Sequence, residues 1–372
     1  MRPRYASALA ACLALLLLWT TTGHGQAAFG WVRFEQYVES LRQQTRIPGL
    51  SAIILKDHVV VWERGFGFQD LEGLVRATPD TAYHVVGLTQ PLSTALVLDC
   101  VSRGRLDLDA PVRSYTDVLG ESGATLAHLL THTSDEVPGS AYRFDLARFA
   151  ALTPAIERCY TEKEPRSYRE LLAKVLLDRL AMADSLPGEN IGTPEVVERL
   201  PENLFDEETM ARYAGVLTRL AKPYAIEKNK AVPAEYPIHG IDAGSGLVTT
   251  VRDLARFDAA LDDLVLLDEE AIARMWTPPQ TQLPRLPLLG PTLPVPLPHA
   301  QGWFVQTYEG RQLVWQFGRW TDVTSSLILK VPSEQLTFIV LANSDGLAAG
   351  SDFESGDVTQ SLFARLFLKF FL

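Results

Sequence analysis

The sequence predicts an α+β chain: one antiparallel sheet flanked by helices, with a helical subdomain beside it. Three observations carry this prediction. Apolar, β-branched runs cluster at the two ends: Leu50 to Leu55 and Val59 to Trp62 early, then Leu313 to Trp315, Ser325 to Val331 and Leu336 to Leu341 late. Between them, helical spacing dominates at 171–180, 207–221, 251–264 and 269–275. No internal repeat links the two ends. The sheet therefore draws on about 31–70 and 300–372, and the stretch of about 71–299 is a mostly helical insertion. With 372 residues, 47% of them hydrophobic, the chain can bury a sizeable core.

Residues 1–27 read as a signal peptide. Arg2 and Arg4 precede the apolar run Ala6 to Trp19, and Gly25-Gln26-Ala27 offers small residues for cleavage. A run of about 14 residues is short for a spanning helix. Retention as an anchor stays open; with cleavage the chain keeps no integral span. Leu9-Ala10-Ala11-Cys12 resembles a lipoprotein box, but the apolar run continues past Cys12 and argues against lipidation. The expected location is periplasmic or extracellular. Losing Arg2 and Arg4 takes the formal charge from −11 to −13, which disfavours nucleic acid and anionic membrane as partners, and no nucleic acid is expected.

The remaining chain, 28–372, starts with an amphipathic helix over Trp31 to Gln44. A hairpin follows, its two strands joined at Lys56-Asp57-His58. Cys100 and Cys159 both lie in apolar helical patterns, so two buried free thiols are the favoured reading and a single disulfide is the open alternative. Thr277 to Pro298 holds eight prolines and is read as a stiff extended loop. Arg319-Trp320-Thr321-Asp322 and Pro332-Ser333-Glu334 read as turns between the late strands. A last amphipathic helix is expected over Val358 to Phe371.

Several motifs occur in a fixed order. Tyr83 to Val112 holds a turn, a helix and Arg105-Leu106-Asp107-Leu108-Asp109-Ala110-Pro111. Leu129-Leu130-Thr131-His132-Thr133-Ser134 follows. Then come Ala243-Gly244-Ser245-Gly246-Leu247-Val248-Thr249-Thr250, Gly302-Trp303-Phe304 and Leu341-Ala342-Asn343. Together they resemble the β-lactamase-related, penicillin-recognising serine hydrolases. That resemblance implies the β-lactamase/transpeptidase-like fold and a cleft built from three clusters.

In the resemblance, the first cluster is a Ser with a Lys three residues on, and here those positions are Gly87 and Gln90. Gly has no oxygen to acylate, and Gln takes no proton at neutral pH. The second is a Tyr-x-Asn ahead of a Leu-Leu pair. Aligned on Leu171-Leu172, it becomes Glu164 and Arg166; a shifted register keeps Tyr168 and puts Glu170 in the Asn place. Packing at a helix start is the favoured reading of Tyr168. The third cluster is a Lys-Thr-Gly or His-x-Gly strand. Trp315-Gln316-Phe317-Gly318 occupies that place, with Gln316 for the cation and Gly318 kept. An oxyanion-type pair of backbone N–H groups would come from Gly87 and Arg319. A Ser at position 87 is expected to fold at modest cost. The set Gly87→Ser, Gln90→Lys, Gln316→His is expected to restore weak esterase activity if the cleft keeps its family shape.

Other residues do not rescue the chemistry. Thr89 and Ser93 lie two and six positions past Gly87 and point elsewhere on a helix. Ser245 lacks the flanking glycines of a nucleophile elbow. His132 reads as a hydrogen-bonded core residue. His84, His128, His239 and His299 show no metal-ligand spacing. Asp107 and Asp109 read as turn residues. No phosphate loop or dinucleotide fingerprint occurs, and no cofactor or metal is expected. The favoured function is an exported pseudo-hydrolase that binds a small acyl or peptide ligand or an envelope protein. The alternatives are an active hydrolase with a non-standard nucleophile, and a structural protein whose cleft is vestigial.

Overall fold

The computed structural model describes residues 30–120, 122–161, 166–198, 200, 204–237, 240–281 and 295–372. The proposed signal peptide lies outside these residues, as do Glu164, His239 and the centre of the proline block.

Seven strands form one sheet: β1 (Gly49–Lys56), β2 (Val59–Asp70), β3 (Val75–Arg76), β4 (Phe304–Tyr308), β5 (Arg311–Trp320), β6 (Thr324–Val331) and β7 (Leu336–Ala342). Their order is β4-β5-β6-β7-β1-β2-β3, with every neighbouring pair antiparallel. The two chain ends meet at β1 and β7, where Leu50 pairs with Ala342 and Lys56 with Leu336. Both strands are apolar at nearly every position because both faces of the sheet are covered. Ile53, Leu55, Ile339, Leu341, Val314 and Ile328 face the helical subdomain. Ala52, Ile54, Phe338, Val340, Leu327 and Trp315 face helix α1 (30–44) and the C-terminal helix.

The β1–β2 hairpin turns at Asp57 and His58, whose φ values are 53° and 64°. That pair of left-handed residues matches the twist of the strands. Strand β5 continues through Arg319 and Trp320, so the expected turn there begins only after them. Pairing with Ser325 and Thr324 extends the strand.

In the subdomain, α2 (Thr89–Ser102) is buried almost all round and forms the axis. Around it lie α3 (Thr153–Tyr160), α4 (Tyr168–Leu171), α5 (Glu207–Leu217), α6 (Val251–Asp262) and α7 (Glu269–Met275). Helix α4 starts earlier than its apolar pattern because Ser167 caps it, accepting from Glu170 N–H. It continues as a π-helical stretch over Leu172–Leu177. Helix α5 ends at Leu217, short of the expected 221. The last helix, α8 (Leu362–Phe371), is capped by Ser361, and a separate turn over Val358–Gln360 precedes it. At the edges of the proline block, Gln280–Thr281 pairs with Val295–Pro296. Among the described residues, no helix is long and apolar enough to cross a membrane.

The favoured reading of the cysteines is corrected. Cys100 on α2 and Cys159 on α3 form a disulfide, with Cα atoms 6.3 Å apart. Each lies on an apolar helix face, and those two faces pack on each other, which sequence spacing does not show.

Candidate functional site

The turn that leads into α2 is held from two sides. Tyr83 and His84 pair with Thr249 and Val248, and Val85 N–H donates to Leu247 O. The Gly-rich motif thus serves as the outer brace of the turn. Val86 has φ 47°, a conformation that costs a β-branched side chain of order 1–3 kcal/mol. Leu88 N–H closes onto Val85 O, and α2 begins at Thr89.

Strand β5 presses on the other side. Ser326 Oγ donates to Val85 O at 2.8 Å. A Cβ on Gly318 would overlap that same carbonyl. A Cβ on Gly87 would overlap the carbonyl oxygen of Phe317. Both glycines are therefore packing requirements, since each contact is with main chain that cannot swing aside. The expectation that Ser fits cheaply at 87 is overturned: the helix start is tolerant, but the strand beside it is not. Gly87→Ser should lose about 1–3 kcal/mol of stability in urea unfolding. A variant as stable as the parent would show that β5 can retreat.

The positions three residues after Gly87 and on β5 meet directly. Gln316 Nε2 donates to Gln90 Oε1 at 2.9 Å and to Gly302 O at 3.0 Å. His132 Nε2 lies 3.2 Å from Gln90 Oε1, while His132 Nδ1 accepts from Asp145 N–H. That backbone donor fixes the tautomer, so Nε2 carries the proton. His299 Nδ1 donates to Ala300 O at 2.7 Å, and its unprotonated Nε2 lies 3.3 Å from Gln316 Nε2. All four side chains are buried. The result is a neutral amide–imidazole network where the resemblance implies two cations.

Burial pulls His299 down to about 3 and holds His132 well below the ordinary imidazole range, with His299 adding to the latter effect. Both rings are thus neutral when folded and protonate freely when unfolded. Below about pH 6.5 the unfolded state binds more protons, so stability falls as pH falls. Each ring contributes a slope of about 1.4 kcal/mol per pH unit in that window. Urea unfolding at pH 7 and pH 5 should therefore show a steep loss, and His299→Gln should remove the share of it due to His299, while His132 and the partly buried His128 keep theirs. Asp253, raised chiefly by burial, opposes this loss equally in both proteins, so their difference isolates the imidazole. Parallel pH profiles for parent and variant would refute the assignment.

Aromatic rings cover the network. Phe144 lies 4.6 Å from His132 and 4.9 Å from Phe317, Tyr142 stacks 6.0 Å from His299, and Phe353 sits 5.1 Å from Phe317. Sequence reasoning missed His299 and this cover. His299 has no nearby partner in the chain, so no sequence signal marked it. Gly302 (φ 71°) brings the two regions together, since a Cβ there would overlap Thr94 Oγ1.

The remaining candidates are dispersed. Tyr168 is buried, its hydroxyl 2.6 Å from Ser93 Oγ, and burial drives its pKa upward. Ser93 is further tied to Ala243 O, and Thr89 Oγ1 accepts from Leu247 N–H. Arg166 pairs with Glu170 at 2.6 Å near the surface. Arg319 pairs with Asp345 at 3.3 Å. Ser245 N–H is held by Asp242, and Asp107 accepts from Asp109 N–H as a turn residue. Among the described residues, no group of three or more His, Cys, Asp and Glu side chains could hold a metal.

A family model described as Beta-lactamase matches residues 34–357. The fold is similar to that of an octameric penicillin-binding protein homologue from Pyrococcus abyssi, at 22% identity and TM-score 0.67, covering 91% of this chain and 77% of that one. It is also similar to a D-alanine carboxypeptidase AmpC from Burkholderia cenocepacia, at 17% identity and TM-score 0.67, covering 92% and 99%. A class C beta-lactamase from Rhodobacter sphaeroides matches at 19% identity and TM-score 0.60, covering 84% and 94%. Among curated relatives, esterase EstB of Burkholderia gladioli is 30% identical over 109 residues, 27% of this chain and 28% of the esterase. Protein flp of Staphylococcus aureus (strain N315) is 30% identical over 83 residues, 22% of this chain and 17% of that protein. The chain thus spans less than a third of either relative.

Proposed function

Since this chain belongs to the beta-lactamase family, whose reaction needs a nucleophilic oxygen, we propose that it is an exported, catalytically degenerate member that acts by binding. One observation carries the reading: the Phe317 carbonyl fills the space a side chain at position 87 would need. The neutral Gln90–Gln316 contact supports it further, because neither amide can take a proton from a nucleophile. The Cys100–Cys159 bond supports export, since such bonds persist in oxidising compartments. The binding partner is a small acyl or peptide ligand or an envelope protein.

Labelling tests the reading. Penicillin-type and phosphonate probes should leave the mature protein unmodified by mass spectrometry. Stoichiometric modification at any Ser would replace the proposal with a hydrolase using that residue. The set Gly87→Ser, Gln90→Lys, Gln316→His should also stay inert on a small chromogenic ester. The cleft does not keep room for the new side chain at 87, and groups that act as a unit gain nothing from partial repair.

A further inference from the structure

Helix α8 is apolar on both of its sides. Eight of its ten residues are apolar, and the other two are Arg365 and Lys369. Phe363, Ala364, Phe367 and Leu368 are buried in the core beneath the sheet, with Phe367 stacked 5.0 Å from Phe338 of β7. They account for one side. Leu362, Leu366 and Phe370 recur every four residues along the outer side and are only half-buried. The outer side of a surface helix is ordinarily polar. Tyr37 of α1 extends this apolar stripe. It is 47% exposed and meets Phe370 edge-on, with ring centroids 5.7 Å apart.

The charge of this face opposes that of the whole chain. The chain carries −11, yet α8 has two cations and no acid. Arg365 and Lys369 are exposed and stand one turn apart beside the stripe. Among the described residues, neither makes an ion pair. The two acids of α1 are each paired with an arginine: Glu35 with Arg64 at 3.1 Å, and Glu39 with Arg42 at 2.7 Å. Residues 1–29, which lead into α1, contain no Asp or Glu, so that stretch brings no counter-charge. At physiological salt a surface charge is felt over about 8 Å. A partner at this face therefore meets the two cations and not the net charge.

We propose that this face, α8 with Tyr37, docks on the surface of a lipid bilayer that carries anionic headgroups. Leu362, Leu366 and Phe370 enter the boundary between headgroups and acyl chains, while Arg365 and Lys369 extend their stems back to the phosphates. Tyr37 has an apolar ring with a polar tip, which suits that boundary. The place of the face in the fold favours a bilayer over another protein. Trp31, at the start of α1, lies 5.1 Å from Phe371, so the chain enters the fold beside this face. The sequence just ahead holds the apolar run Ala6 to Trp19, of the kind that inserts in a membrane during export. The proposal rests on the export reading and not on the state of the former cleft.

The test is flotation of the mature protein with vesicles of phosphatidylcholine alone and with about one third phosphatidylglycerol. The parent should bind the anionic vesicles at least about tenfold more tightly, and about 1 M salt should abolish the preference. Arg365→Gln with Lys369→Gln should weaken binding to the anionic vesicles by about 10- to 30-fold, the loss expected of two cations near a charged surface. Its Tm should match the parent's, because both side chains are exposed. Leu366→Gln should weaken the same binding by about fivefold. The cation variant removes no packing and keeps the test decisive if Leu366→Gln does not fold. Equal binding of the parent to both vesicles, or to neither, would overturn the proposal. So would undiminished binding of the cation variant. A dimer in sedimentation velocity that Leu366→Gln dissociates would overturn it too, by assigning the face to a second copy of the chain.

Discussion

Lys330→Ala should cost about 3–5 kcal/mol of stability, the usual result of removing one partner of a buried ion pair. Lys330 sits on β6 with its side chain 2% exposed, bound to Asp258, whose side chain is 1% exposed. Asp262 lies 2.9 Å from the same ammonium. Both acids are on α6, so the triad clamps that helix to the centre of the sheet. The Trp276 ring stands 5.6 Å from the ammonium. Burial already raises the pKa of Asp258, and Lys330 is the main force holding it down. Without Lys330, the Asp258 carboxyl rises further above its unfolded value. A group raised in this way is harmless below about pH 4 and increasingly destabilising as pH climbs through its folded pKa. The penalty in urea unfolding should therefore be larger at pH 8 than at pH 5. Lys330→Met combined with Asp258→Leu should recover most of the loss, since an apolar pair removes the charge that Lys330→Ala strands. A double variant as unstable as the sum of its parts would refute this account of the pair.

Replacing Cys100 and Cys159 by Ala should cost about 2–5 kcal/mol, because the bond closes a long loop in the unfolded chain. The cysteines are 59 residues apart, and the bond joins the central helix α2 to α3. Reduction under mild denaturant should lower Tm as well. A non-reducing peptide map should recover the two cysteines in one linked species. Free thiols in protein taken from an oxidising compartment would contradict the pairing. The loss should leave the Gln90–Gln316 contact in place, because α2 is held at its other end by Val85, Leu247 and β5.

Much of the fold was legible before any coordinates. The terminal strands announced themselves because β1, β6 and β7 are buried on both faces, and only continuous apolar runs satisfy that environment. The insertion read as helical because its apolar positions recur at the spacing of one helix face. Boundaries were less legible. Strand β5 runs on through Arg319 and Trp320 because pairing with β6 outweighs the turn character of those residues. Ser167 moved the start of α4 for a local reason, its cap, that apolar spacing does not see.

By itself the sequence determined the family frame and the absence of a hydroxyl at Gly87 and of an amine or imidazole at Gln90 and Gln316. A missing oxygen or amine is a fact of composition at a position, and no fold can restore it. The tertiary structure decided the rest. It paired two cysteines that spacing left open, gave His299 a partner 17 residues away in Gln316, and set the Phe317 carbonyl against Gly87. Each of these depends on how closely two distant segments approach, and that distance is fixed by the packing of all the elements between them.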